Sequence, residues 1–250
     1  MSARDAPVVR MTSRARGVSV EPSALRDAIF ERATNRQTGD GTTIEDEVVR
    51  ELGAAARDVG AGFDVSLVSG GDKEPLARAL AEADVVRTFN PAYHQQMLSE
   101  MRWTAQEVES TRDGVDVATL ELTSGDRKGF SLMRQRWFVA LMVTRNRIRT
   151  MTVAGLMGSS HIGGLLMPRE TSSTNLVAAG RALERMWLAA SAQGLALQPW
   201  SVIPFFELRA ELHPDTLPPR DREAGLRIGA EVRRLLRVAD AQRCIFVFRL

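Results

Sequence analysis

An α+β fold, with helices wrapped around a small sheet, is the class this sequence predicts. Three observations point to it. Segments with apolar residues at helical spacing outnumber strand-like runs. The strand-like runs are scattered between the helices instead of alternating with them one for one. The longest regular segment, "SSTNLVAAGRALERMWLAASAQG", is a helix long enough to run through the middle of a domain. With 250 residues, 44% hydrophobic and 26% charged, the chain has the composition of a globular protein and can bury a sizeable core.

In chain order, a helix is expected after Pro22, with Leu25, Ala28, Ile29 and Ala33 on one face. The turn "TNRQTGDG" leads to a second helix over "IEDEVVRELGAAARDVG". There Thr42 and Glu45 have the spacing of a capping box, and Gly60 or Gly62 ends the helix. "FDVSLVS" is a short strand. "DKEPLARALAEADVVRTF" is a helix with Pro75 in its first turn, and "NPAYHQQMLSEMRW" repeats the design with Asn90 as its cap. A second capping box, Thr104 to Glu107, opens "TAQEVESTRDG", and Asp113-Gly114 is a turn. "GFSLMRQRWFVALMVTRNRIRT" reads as one partly buried helix with a basic exit, and "TMTVAGLMG" as a strand. "GSSHIGG" lacks the GK[ST] of a phosphate loop. It reads as a turn that wraps an anion with backbone N–H groups, or equally as one that closes over a cofactor.

In the long helix, Ser172, Ser173 or Thr174 caps the start, Leu176, Ala179, Leu183, Met186, Trp187 and Ala190 form a wide apolar stripe, and Gly194 suits the C-cap. "LALQPWSVIPFFE" follows as irregular strand and turn. "DREAGLRIGAEVRRLLRVA" is an amphipathic helix, and "RCIFVFRL" is the last strand.

Bulk properties narrow the function. The formal charge of +2 is small and both signs are interspersed, so nucleic acid is not expected as a partner. The basic stretches "RQRW" and "RNRIR" read as a solvated helix edge rather than a surface for an acidic partner. No apolar run approaches the ~20 residues of a membrane span. Residues 1–21 hold four arginines before Gly17 without the apolar core of a secretory signal. They read as a disordered leader or linker remnant, 22–250 as the domain, and the compartment as the cytoplasm. Cys244 is the one cysteine and is expected to be a buried, inert thiol. His94, His161 and His213 have no cysteine or carboxylate at ligand spacing, so no metal site is expected. No catalytic residue can be assigned.

Several blocks together resemble the FMN-dependent nitroreductase family: "RATNR" from Arg32 to Arg36, the stretch from Glu100 to Glu121, "NLVAAGRALERMWLAASAQGLALQPW" and "VFRL". The resemblance is closer to a divergent actinobacterial branch that includes stress-associated FMN-binding proteins and nitroreductase-like modules fused behind adenylating domains of the ubiquitin-activating type. It implies a nitroreductase-like sandwich, a mostly antiparallel sheet wrapped by helices with a long central helix, and a homodimer with FMN at the subunit boundary. Arg32, Thr34 and Arg36 match the family's arginine–serine–arginine phosphate motif, with threonine for serine. Guanidinium forks pair well with phosphate oxygens, although arginine at a helix C-terminus is favourable with no ligand at all. By the same resemblance Gly194 and Leu195 contact the flavin ring through bare backbone N–H groups. Trp103 either covers an aromatic substrate beside the flavin or buries apolar area in the core. Two features depart from the family. Its polar proline–serine–asparagine segment is replaced by "DVGAGFDVSLVSG", and beyond "FRL" there is no basic tail residue to reach the phosphate, while alternation on the strand could turn Arg249 to solvent.

Two functions follow. In one, the protein binds FMN, takes hydride from NAD(P)H and reduces a small electron acceptor such as a nitroaromatic or quinone, so that lack of a catalytic dyad is no objection. In the other, it is a non-catalytic flavin-binding or protein-interaction module with a degenerate fold. An adenylating domain is a further partner that the resemblance raises.

Overall fold

The computed structural model describes residues 25–36, 39, 41–120, 122–200 and 202–250. They form α1 (Ala28–Glu31), α2 (Asp46–Arg57), β1 (Asp64–Ser69), α3 (Lys73–Phe89), α4 (Pro91–Ser99), β2 (Met101–Arg102), α5 (Ala105–Thr111) and β3 (Val115–Asp116). There follow α6 (Ser124–Leu132), α7 (Arg136–Met142), α8 (Arg145–Met157), β4 (His161–Pro168), α9 (Ser173–Ala192), β5 (Gln198–Pro199), α10 (Val202–Leu212), α11 (Pro219–Leu235) and β6 (Gln242–Arg249).

The main sheet has the order β1-β4-β6-β5, every pair antiparallel. β2 and β3 form a separate parallel pair. Side chains alternate across the two central strands, so each strand feeds two cores. On one face Ile162, Leu166, Cys244 and Val247 pack with Leu76 and Leu80 of α3, Leu156 of α8, Ile203 of α10 and Ile228 of α11. On the other, Leu165, Met167 and Ile245 meet Ala56 of α2 and Ala179 and Ala182 of α9. Phe248 lies on this second face with Leu52, Met186, Trp187 and Leu197. The result is three layers, helix–sheet–helix, with the 20-residue α9 as the long central helix. The expected α+β sandwich with a mostly antiparallel sheet is the observed one.

Most expected elements are present. Asn90 Oδ1 accepts from the N–H groups of Ala92 and Tyr93 at the start of α4. Thr104 and Glu107 form their capping box on α5, and Ser172 Oγ accepts from Asn175 N at the start of α9. The first helix was expected from Pro22. Residues 22–24 lie outside the described part, as does the leader 1–21, and the helix itself is one turn, Ala28–Glu31.

Four expectations fail. Thr42 and Glu45 do not form a capping box: α2 starts at Asp46, and its N-cap Glu45 makes no side-chain cap bond. The stretch from Gly129 to Thr150 is three helices, α6, α7 and the start of α8, broken after Leu132 and Met142. "TMTVAGLMG" is helix, not strand, because its buried residues Thr152 and Leu156 are four apart, a helical period. The strand instead occupies "HIGGLLMP". Its two glycines are required there: a Cβ at Gly163 would lie 2.4 Å from Leu67 Cδ2, and one at Gly164 would lie 2.8 Å from Cys244 Sγ. Finally "VIPFFELRAEL" is helix α10, with Pro204 accommodated in its first turn, where no helical N–H is needed.

Candidate functional site

At the end of the sheet where β5 begins and β6 stops, a cavity of about 600 Å³ opens between the C-terminal turn of α9, the α8–β4 turn and the approach to α2. Gly194, Leu195 and Ala196 form one wall and Ser159 and Ser160 another. Gly41, Thr42, Thr43 and Glu45 form a third, and Asn35, Gly39, Gln198 and Arg249 complete it. Two of these glycines leave backbone uncovered toward open space: Gly41 and Gly194 both have φ near +70, and no atom lies within 4 Å of a Cβ built on either. Gly39 differs, since a Cβ there would sit 3.0 Å from the carbonyl oxygen of Gly158.

Arg249 is the cation of this cavity. It is buried, and burial holds its pKa below the usual guanidinium value. Its Nε donates to Gln198 Oε1 at 2.7 Å, Nη2 to the Arg36 carbonyl at 3.1 Å, and Nη1 to the Gly155 carbonyl. Strict alternation from Cys244 would place Arg249 on the opposite face of the sheet. A β-bulge prevents that. Leu165 pairs with Phe246 and Leu166 with Cys244, so Ile245 is an extra residue on β6 and the parity changes. Arg249 therefore shares the face of Cys244 and Val247, under the end of α8, and does not point to solvent.

Lys73 and His161 support the α8–β4 turn from behind. The buried Lys73 ammonium donates to the carbonyls of Met157, at 3.3 Å, and Ser159. Burial lowers its pKa. Burial, and then the charge of Lys73, lowers the pKa of His161. The His161 ring Nδ1 lies 3.3 Å from Ser160 Oγ. Nothing in the sequence marks Lys73, whose partners lie more than eighty residues away, and the sequence raises His161 only as a metal ligand.

The residues singled out from the sequence divide into two groups. Gly194 and Leu195 line the cavity. Their amides are not bare, however: Gly194 N donates to Ser191 O at 3.0 Å and Leu195 N to Ala190 O at 2.9 Å, closing α9. The segment from Arg32 to Arg36 runs beside the cavity, where Thr34 bridges to Leu197 and Asn35 N donates to Leu197 O. Asn35 lines the cavity, whereas Thr34 and Arg36 are not among its lining residues. Arg32 is paired with Glu184 at 3.2 Å and lies over the Trp187 ring at 4.6 Å, against α9. Trp103 is not on this cavity. It packs on Phe130 at 5.3 Å with the Arg134 guanidinium 5.0 Å from its ring. Cys244 is buried, and burial pushes its thiol up to about 12.

No protein-family model matches the chain. Over 254 residues it is 26% identical to "Uncharacterized protein MT1398" of Mycobacterium tuberculosis (strain CDC 1551 / Oshkosh), an alignment that takes in 98% of this chain and 34% of that protein. The chain thus spans about a third of the length of the curated relative it matches. Among solved structures it is similar to the FMN-dependent nitroreductase NfnB from Mycobacterium smegmatis in complex with NADPH. The identity is 16%, with 89% of this chain and 84% of that one covered and a TM-score of 0.48. It is also similar to the FMN and NADPH-dependent nitroreductase NfnB from Sphigopyxis sp. strain HMH, at 16% identity, 90% and 86% coverage and a TM-score of 0.47.

Proposed function

We propose that residues 22–250 form an FMN-binding oxidoreductase of nitroreductase type, which passes hydride from NAD(P)H to a small electrophile such as a nitroaromatic or quinone in the cytoplasm. The observation that carries this reading is the cavity at Gly194. It is large enough for a flat heterocycle, two of its wall glycines leave backbone open for close approach, and a buried guanidinium meets it beside the "RATNR" segment. The flavin, when bound, supplies the two-electron chemistry. Arg249 brings positive charge and Asn35 a polar side chain to it, Gly194 and Leu195 offer a surface, and Ser159 and Ser160 close the opposite side. Arg36 is the phosphate ligand in this reading. Its carbonyl is fixed by Arg249, and its half-buried side chain can turn to an anion. Thr34 adds a hydroxyl. Arg32 joins only if it leaves Glu184 and Trp187.

A second reading, a flavin-binding or protein-interaction module without turnover, is favoured by one observation: the amides of Gly194 and Leu195, expected to meet the flavin, already have partners. Either reading includes a homodimer, since Ile29 and Phe30 of α1 and Leu176 and Val177 of α9 leave apolar side chains exposed on helices that touch. An adenylating domain is a proposed further partner, and Trp103 a proposed substrate contact donated across the dimer.

Titration of FMN and riboflavin into wild type and Arg36→Ala, followed by visible absorption, tests the site. The expected result is FMN affinity weakened about thirtyfold or more by Arg36→Ala, with riboflavin indifferent. Absence of FMN binding to wild type sinks the first reading and the flavin-binding form of the second, and leaves the protein-interaction module. Binding without NAD(P)H oxidation by any quinone or nitroaromatic selects the second.

A further inference from the structure

A second cleft, of about 480 Å³, lies between α3, α4, α8 and α11 and shares no lining residue with the cavity at Gly194. Four guanidinium groups reach it from two helices, Arg145 and Arg149 from α8 and Arg220 and Arg227 from α11. Its two carboxylates are both engaged. Glu82 accepts two hydrogen bonds from Arg149, one of them 3.0 Å from Nη2, and Asp221 accepts from the Asn90 amide. The pKa of Glu82 is lowered first by the Arg149 hydrogen bond and then by the charges of Arg149, Arg227 and Arg145, so these cations surround one point. Arg145 also lies 4.8 Å from the Phe89 ring. Among the described residues, Arg145, Arg220 and Arg227 form no ion pair.

This arrangement works against the stability of the free protein. Like charges repel at close range. Arg145 and Arg220 also stand in the first turns of α8 and α11, where the helix dipole disfavours a cation; the first turn of α8 holds no acidic residue, and that of α11 holds Asp221. The "RNRIR" stretch, expected to be a solvated edge, thus places Arg145 and Arg149 on a concave surface with two more arginines facing them. An oligoanion in the cleft would remove both penalties at once.

We propose that this cleft binds a small oligophosphate, with Arg145, Arg220 and Arg227 as its ligands and Arg149 held in place by Glu82. The chemistry required is several negative charges on a compact group whose oxygens accept forked guanidinium bonds. The inference does not depend on a flavin.

The test uses the full chain and inorganic triphosphate at fixed ionic strength, read by calorimetry. One saturable site is expected. Arg220→Gln and Arg227→Gln each weaken it about tenfold, as for loss of one charge-assisted hydrogen bond, and Arg227→Glu abolishes it. Both residues are exposed and unpaired, so the variants fold. Arg36→Ala leaves triphosphate binding unchanged, which separates this cleft from the flavin site. Without triphosphate, Arg220→Gln raises the thermal midpoint, and with triphosphate that advantage disappears. Lack of saturable binding, or equal affinity in wild type and both glutamine variants, overturns the proposal. So does tighter binding of a DNA duplex that spreads over several protein copies, which would make the region a nucleic-acid surface instead.

Discussion

The layered body and the segment from Met101 to Met142 are held together in different ways. In the body, β4 is buried almost along its whole length and β6 over most of it, and side chains such as Ile162, Met186 and Phe248 are fully enclosed. In the segment, Val117 and Val139 are the buried residues among those described, while Leu132, Trp137, Leu141 and Met142 are exposed. Its order comes from short-range polar contacts. These include the Thr104–Glu107 box and the cap in which Asp126 N donates to Thr123 Oγ1 at 3.1 Å. Arg102 bonds Asp113 at 2.6 Å. One longer link ties the segment to α4: His94 Nε2 lies 2.8 Å from the Met133 carbonyl. Gly114 is needed for the turn from α5 into β3, with φ +72 and the Glu100 carbonyl 2.5 Å from where a Cβ would be. Apolar burial fixes one region as a unit, and local caps fix the other piece by piece.

That contrast can be broken most forcefully at Phe248. Phe248→Ala should remove about 3–5 kcal/mol from global stability, the usual cost of emptying a large buried site, measured by denaturant unfolding. A loss below about 1 kcal/mol would mean that the body is not a single cooperative core.

The next largest effect is a pH dependence. Burial raises the Cys244 thiol pKa to about 12 in the folded protein. An unfolded cysteine titrates near about 8.5. A raised folded pKa contributes stability that is full below the unfolded value and is lost as pH rises toward the folded one. Wild type should therefore lose roughly 2 kcal/mol relative to Cys244→Ala between about pH 8 and pH 10. Parallel curves for the two proteins would place the thiol in contact with water.

The smallest effect sharpens the other side of the comparison. Thr104→Ala should cost about 1 kcal/mol, and only locally. Faster hydrogen exchange is expected across α5, with the global unfolding midpoint unmoved. A full shift of that midpoint would join the segment to the body's cooperative unit.

Legibility in the sequence follows the same division. The elements with caps or a clear period, α3, α4, α5, α9 and α11, could be read from residues close together in the chain. β4 was missed because "GSSHIGG" resembles a loop until Leu67, Phe248, Leu236 and Cys244 fill the space over its glycines. α10 was missed because its proline and aromatic residues suggest irregular chain. At the candidate site, Gly194 and Leu195 were legible as the exit of a long helix. Asn35 was hidden inside a motif whose arginines drew attention. The position of Arg249 hinges on one extra residue, Ile245, which no alternation rule on the strand alone can reveal.

Among the described residues the sheet contains no hairpin. β1 finds β4, pairing residue 64 with residue 166, and β4 in turn finds β6, pairing 162 with 249. No turn can seed these contacts, so the chain must search over long loops before the first ladder forms, and such topologies fold slowly. The capped helices between β1 and β4 have no such wait. During synthesis β1 therefore emerges with both edges open and its partner not yet made, and through that interval the nascent chain carries its greatest exposure to misassociation.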